Sequence, residues 1–166
     1  MLGRMQSAVT IRDGDPNDRA TLLEFHRALY VDHQAAVLPA QEAALVAYRD
    51  FERVLRDDVD GLLRGGAHIV LIAERGAEPV GYITGHVERE PLRVCTPKGV
   101  VEDWFVVERA RGGGVGTRLL GALEARFRDA GCAMMESATW ASNRGAREAH
   151  RARGFTEIQV VFRKPL

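Results

Sequence analysis

Cysteine is scarce in this chain, with two residues, Cys95 and Cys132, among 166. They stand far apart and form no Cys-x-x-Cys pair that would suggest zinc or redox work, so each is expected to be a small buried apolar residue. Long hydrophobic runs are also missing. The longest aliphatic run, Ile69 to Ala73, has five residues, against the 18 or so that a membrane-spanning helix requires. The opening MLGRMQSAVT lacks the apolar stretch of about 7–15 residues found in a secretory leader, which places the expected location in the cytoplasm. A net charge is absent as well, since 23 Lys and Arg balance 23 Asp and Glu. That balance removes any overall drive toward nucleic acid or an anionic membrane, and neither is an expected partner.

What the chain does contain is 46% apolar and 28% charged residues, the balance of a globular protein with a continuous core. The charge is unevenly divided. Residues 1–108 hold 12 basic and 18 acidic side chains, and residues 109–166 hold 11 basic and 5 acidic ones. One half can favour a cation and the other an anion, although solvated helix faces give the same count. The length suits one domain over residues 8–166 behind a flexible tail at residues 1–7.

The periodicity predicts an edge strand over Ala8 to Arg12 and a helix entered through Asp15 and Pro16. A second helix is expected from about Gln41 to Arg64, stopping at Gly65-Gly66. Strands follow over His68 to Ala73, Val80 to Glu88 and Val100 to Val107, as an antiparallel meander. A further helix is buried through Val115, Leu119, Leu120, Leu123 and Phe127. Ala133 to Thr139 as strand, Asn143 to Arg153 as helix and Phe155 to Arg163 as strand complete an α+β domain.

The most informative stretch runs from the strand at Val100 into Arg111-Gly112-Gly113-Gly114-Val115-Gly116-Thr117. Strand, glycine loop and helix in that order make an anion site, because glycines admit close approach and the helix start offers free N–H groups. As a dinucleotide signature the loop fails, with Leu119 where a third glycine belongs. A nucleoside-triphosphate loop would need a Gly-Lys-Ser/Thr that is not there. A loop that merely turns the chain stays open on these residues alone.

Arg111-x-x-Gly114-x-Gly116 after an apolar strand resembles the coenzyme A pyrophosphate loop of the GNAT acetyltransferase superfamily. A second segment, Asn143-x-x-Ala146-x-x-x-His150-x-x-x-Gly154-Phe155, is similar to that family's Asn, Ala, Tyr, Gly-Phe pattern, in the right order and separation. The resemblance covers roughly residues 8–164. It implies a GNAT-like mixed, mostly antiparallel sheet of six to seven strands, flanked by about four helices, whose fourth and fifth strands splay apart. It implies acetyl-CoA as co-substrate and no metal. Residues 111–117, that is Arg111, Gly112, Gly113, Gly114, Val115, Gly116 and Thr117, would cradle the coenzyme. The backbone of Val106 and Val107 would bind the pantetheine amides, with Asn143 and Ala146 beside that arm.

Strand alternation puts Glu102, Trp104 and Val106 on one face, and Asp103 and Phe105 on the other. The segment Val101-Glu102-Asp103-Trp104-Phe105-Val106 resembles polyamine acetyltransferases, which implies Glu102 as general base; a salt-bridged edge carboxylate is the plainer alternative, and Asp103 is the second-choice base or else pins a neighbouring loop. His150 stands where the family usually has Tyr, as it does in some aminoglycoside-type enzymes. It is a candidate to protonate or hydrogen-bond the departing thiolate, or else a packing residue. Tyr30, Asp32, His33 and Trp104 are the candidate acceptor pocket. The other histidines, His26, His68 and His86, show no metal-ligand spacing. The expected activity is acetyl transfer to a primary amine, first of all on a small cationic molecule. A protein amine, or a silent acyl-CoA-binding module, remains open, and such enzymes often form homodimers.

Overall fold

The computed structural model describes residues 8–165, apart from the side chains of Asp32, His33 and Ala35. The expected tail at residues 1–7 and the terminal Leu166 lie outside the described residues, as do the Asp32 and His33 side chains in the acceptor-pocket assignment. Strand β1 (Val9–Asp13) leads into a 3₁₀ turn at Pro16–Asp18. Asp15 starts that turn, its carboxylate accepting from Asn17 N at 2.7 Å, while Asp18 accepts from Asp15 N at 2.9 Å. Helix α1 (Arg19–Val37) stops short of Pro39, which cannot supply the N–H that a continuing helix needs.

The long helix expected from Gln41 to Arg64 is two helices, α2 (Ala40–Val46) and α3 (Phe51–Leu63). Asp50 causes the restart by accepting from Arg53 N at 3.0 Å, a helix N-cap that the apolar spacing does not reveal. Then come β2 (His68–Arg75), β3 (Glu78–Glu88), β4 (Lys98–Val106), α4 (Val115–Asp129), β5 (Met134–Ser137) and α5 (Arg144–Arg151). The described strands form one sheet in the order β1-β2-β3-β4-β5, antiparallel except for the parallel β4–β5 pair.

The sheet therefore has five described strands rather than six or seven, with five α-helices rather than four. The missing strand is the one expected at Phe155 to Arg163. This segment forms no strand pairing with the described residues, and Ile158, Val160, Val161 and Phe162 are 74–91% exposed. A second correction concerns cysteine, because Cys95 is exposed in the β3–β4 connection and Cys132 is half-buried. Among the described residues, no helix is long and apolar enough to cross a membrane.

Two cores clamp the sheet. On one face α4 buries Val115, Leu119, Leu120, Leu123 and Phe127 against Leu71, Ala73, Val80, Ile83 and Val101. On the other, Leu22 and Phe25 of α1 and Val59 of α3 pack on Val70, Ile72, Tyr82 and Phe105. Gly99 and Gly85 make room for Phe127, since a Cβ on either would lie 2.3 or 2.8 Å from its ring. The Phe127 side can therefore serve as a marker of which way neighbouring residues point.

Candidate active site

Strands β4 and β5 pair only over Lys98–Val101 and Met134–Ser137, after which β4 runs on to Val106 without its neighbour. The resulting fork is the splay expected between the fourth and fifth strands. Its mouth leads to the glycine loop, where Gly112 and Gly114 adopt φ of 75° and 77°, a conformation that side chains rarely tolerate. Gly114 is the N-cap of α4 and has no side chain to bond the first-turn amides, which leaves that helix start shaped for an anion.

Three guanidinium groups approach this loop. Arg111 donates through Nε to Val106 O at 2.9 Å. Arg153 bonds the Thr117 hydroxyl, and Arg75 Nη2 comes within 3.3 Å of the position a Gly113 Cβ would take. Arg75 Nε is buried without a hydrogen-bond partner among the described residues, as expected of a cation awaiting an anionic ligand. A diphosphate thus fits the residues present. The sequence showed Arg111 but hid Arg75 and Arg153, which come from the far end of β2 and the segment after α5.

The two valines divide. Val107 N donates to Val80 O at 3.0 Å, so that amide is spent within the sheet and does not face the fork. Backbone groups alternate between the two edges of a strand, which directs those of Val106 to the fork side, where Arg111 already meets its carbonyl. Asn143 is buried and caps α5, accepting from Ala146 N at 3.0 Å. The spacing of Asn143 and Ala146 thereby has a local structural cause.

His150 lies edge-on between Trp104 and Phe155, with ring centroids at 5.5 and 5.1 Å. Its Nδ1 is 2.6 Å from Ala146 O, an acceptor only, so Nδ1 carries a proton and donates. Nε2 then faces the Ser137 hydroxyl at 2.8 Å, at the last residue of β5 beside the fork. In this tautomer the neutral ring can only accept at Nε2. Giving a proton to a thiolate from that atom requires the imidazolium form.

The base candidate sits on the opposite face, because β4 contains a bulge. Gly85 pairs with Val101 and Ile83 with Trp104, so Glu102 and Asp103 together oppose the single residue Thr84. Strict alternation, which grouped Glu102 with Trp104 and Val106, fails here. Trp104 and Val106 pack on the α4 core, and a Cβ on Gly116 would lie 3.2 Å from Trp104 Nε1. Trp104 therefore lies on the α4 side with the glycine loop and not on the α1–α3 side with Tyr30. Glu102 shares the α1–α3 face with Asp103 and Phe105.

Glu102 is held between two histidines. His68 Nδ1 is 2.9 Å from Oε2 and His86 Nδ1 is 3.0 Å from Oε1. His68 and His86 are cross-strand partners on β2 and β3, with rings 5.9 Å apart. All three side chains are about 30% exposed, so the carboxylate is reachable from solvent. The sequence named both histidines as strand residues without joining them to Glu102. Counting back from the Arg75–Glu78 turn would have paired His68 with Gly85, and a bulge between Ala73 and Glu74 shifts the register by one.

Asp103 turns into the α1 side instead of pinning a loop. It accepts from Thr84 Oγ1 at 2.9 Å and lies 3.7 Å from His26 Nδ1, which meets Tyr82 Oη at 2.7 Å. Burial raises the Asp103 carboxyl above the ordinary range and Tyr82 well above its own, by desolvating their charged forms. Tyr30 packs on His26, Tyr48 and Phe51 at 4.9, 6.1 and 6.3 Å, and burial raises its phenol too. Tyr30 thus stands in an aromatic cluster beside the candidate acceptor face.

Residues 24–155 match the model of the acetyltransferase (GNAT) family. The chain belongs to the GNAT acetyltransferase family. It is accordingly an N-acetyltransferase with acetyl-CoA as its co-substrate, the role suited to the fork and arginine-lined loop. It is 46% identical over 166 residues to aminoglycoside N(6')-acetyltransferase type 1 of Klebsiella aerogenes, covering 98% of this chain and 100% of that protein. With the enzyme of the same name from Stenotrophomonas maltophilia it shares 30% over 164 residues, covering 96% and 95%. The fold superposes on aminoglycoside N-acetyltransferase AAC(6')-Iy in complex with CoA with a TM-score of 0.75 at 21% identity, covering 99% of each chain.

Proposed function

We propose that this GNAT enzyme acetylates the 6'-amino group of aminoglycosides, with Glu102 as general base. The observation that carries the base assignment is the β4 bulge, which turns a solvent-reachable carboxylate to the α1–α3 face where β4 parts from β5. The two curated relatives, alike over nearly their whole length, support the acceptor class. So does the acidic excess of residues 1–108, which suits a polycation.

The acceptor arrives as an ammonium and cannot attack until a proton leaves. A Glu102 carboxylate oxygen takes that proton, and the freed nitrogen lone pair adds to the thioester carbonyl. The carbonyl oxygen becomes negative and is stabilised by fork-side N–H groups, with Val106 as the candidate donor. Collapse of this intermediate, as the attacking nitrogen gives up its second proton to water, makes the amide and breaks the C–S bond. The thiolate of coenzyme A then takes a proton from the His150 imidazolium or from water.

The protein works as a single domain, over 8–166, in the cytoplasm, and pairs as a homodimer through the segment after Phe155. Support for pairing lies in the four exposed apolar residues of that segment, an unusual concentration for a free surface. The deciding experiment is thiol release from acetyl-CoA across an amine panel. Aminoglycosides bearing a 6'-amino group should turn over, and those with a 6'-hydroxyl, polyamines and lysine peptides should not. Turnover with peptides alone would assign a protein acceptor, and none with any amine would leave a coenzyme-binding module.

A further inference from the structure

We propose that His68, His86 and Glu102 form a binding site for one divalent transition-metal ion of the zinc type, and that the bound ion blocks acetyl transfer. The inhibition rests on Glu102 being the base; the binding does not. One ring nitrogen of each histidine and a carboxylate oxygen lie within 4.8 Å of one another, and the His68 and His86 Nδ1 atoms are 2.9 and 3.0 Å from Oε2 and Oε1. Donors about 2.0–2.1 Å from a tetrahedral zinc are roughly 3.3 Å apart, so both nitrogen–oxygen contacts are already near that spacing, and side-chain rotation would close the rest of the 4.8 Å spread around one ion.

Three further features point to an ion. His86 Nδ1 is buried and makes no well-formed hydrogen bond among the described residues, although it is aimed at Glu102. The described ion pairs of Glu102 are both to these histidines, so no Lys or Arg among them competes for its oxygens. Beside the cluster an open cavity of about 480 Å³, lined by Gly66, Ala67, His68, Ile69, His86 and Val87, gives an ion a route in and water a fourth position. Two imidazoles with one carboxylate suit zinc, copper or nickel better than magnesium or calcium, which prefer all-oxygen sets.

Acetyl transfer to an amine uses no metal, so such an ion acts against the reaction. Coordination engages one carboxylate oxygen and draws charge from the other, so Glu102 takes the ammonium proton less readily. The added positive charge also repels a cationic acceptor, while the coenzyme cradle on the α4 side is untouched. Zinc should therefore compete with the amine and leave acetyl-CoA affinity unchanged.

The test uses the full chain stripped of metal and titrated with zinc chloride against a chromophoric chelator. Cobalt(II) serves as a second probe, through the visible absorption of its four-coordinate form. One ion per chain is expected. His68→Gln and His86→Gln should each weaken binding at least tenfold, about 1.4 kcal/mol, and relieve inhibition in parallel. Circular dichroism and acetyl-CoA affinity report whether these variants are folded, with His68→Asn and His86→Asn as replacements. Less than one ion per chain, or two folded variants that bind zinc like the parent, would overturn the site. Inhibition that survives both substitutions would do the same, by placing the inhibitory ion elsewhere. One ion bound through all three residues with turnover unchanged would overturn the inhibition and the reading of Glu102 as base, and leave the ion site standing.

Discussion

Glu102 and Asp103 are adjacent on β4 and face the same side of the sheet, because the two of them oppose Thr84 alone. Their surroundings differ sharply. Asp103 is buried against Thr84 and His26, where desolvation favours its neutral form. Glu102 stands at the rim between His68 and His86, open to solvent on one side. One bulge thus yields a carboxyl that anchors the strand to α1 and another that can exchange protons.

The proposed coenzyme cradle is tested through glycine. Gly114→Val forces a side chain into a φ of 77°, and Gly116→Val pushes a side chain against Trp104, only 3.2 Å from the new Cβ. Coenzyme A affinity, measured calorimetrically on folded variants, should fall at least tenfold in each, about 1.4 kcal/mol. Arg75→Gln should weaken it too, and wild-type affinity in all three variants would remove the anion from this loop.

His150 is pinned at both ring nitrogens, by Ala146 O and by Ser137 Oγ. His150→Ala loses both bonds and the ring between Trp104 and Phe155. We expect a stability loss of roughly 1–3 kcal/mol by urea unfolding, together with at least a tenfold fall in turnover. A variant that loses stability but keeps full turnover, where chemistry limits the rate, would make the residue a packing element.

Acid sensitivity is expected at the entrance to α1. Arg12 donates twice to Asp18 at 2.7 Å and holds its carboxyl below the ordinary range. Because the folded value lies below the unfolded one near 3.9, the pair stabilises the protein above about pH 4 and loses its contribution as pH falls further. Asp18→Asn should cost about 1–3 kcal/mol at pH 7, and the gap to the parent should narrow below pH 4 in denaturant titrations. A gap that is constant from pH 7 to pH 3 would contradict this.

The parts of this molecule that depend on local rules were readable from the chain. The α4 stripe of Val115, Leu119, Leu120, Leu123 and Phe127, the meander and the loop at Gly112–Gly116 all follow from spacing and backbone preference. The face of Glu102 did not, since a bulge is decided by cross-strand pairing and reverses the parity of every later position. The same holds for His68 and His86, 18 residues apart in sequence and opposite each other in the sheet. Arg75 and Arg153 reach the loop from elements whose ends no periodicity locates. The strand expected after Phe155 has the right alternation, and it lacks a described neighbour to pair with.

The most direct test of the account is Glu102→Gln, which keeps the side chain's shape and removes its basicity. Single-turnover transfer of acetyl from acetyl-CoA to a 6'-amino aminoglycoside should slow by roughly 10²–10⁴-fold, with coenzyme affinity unchanged. A loss of less than threefold between pH 6 and 9 would show that another base, or water alone, removes the proton.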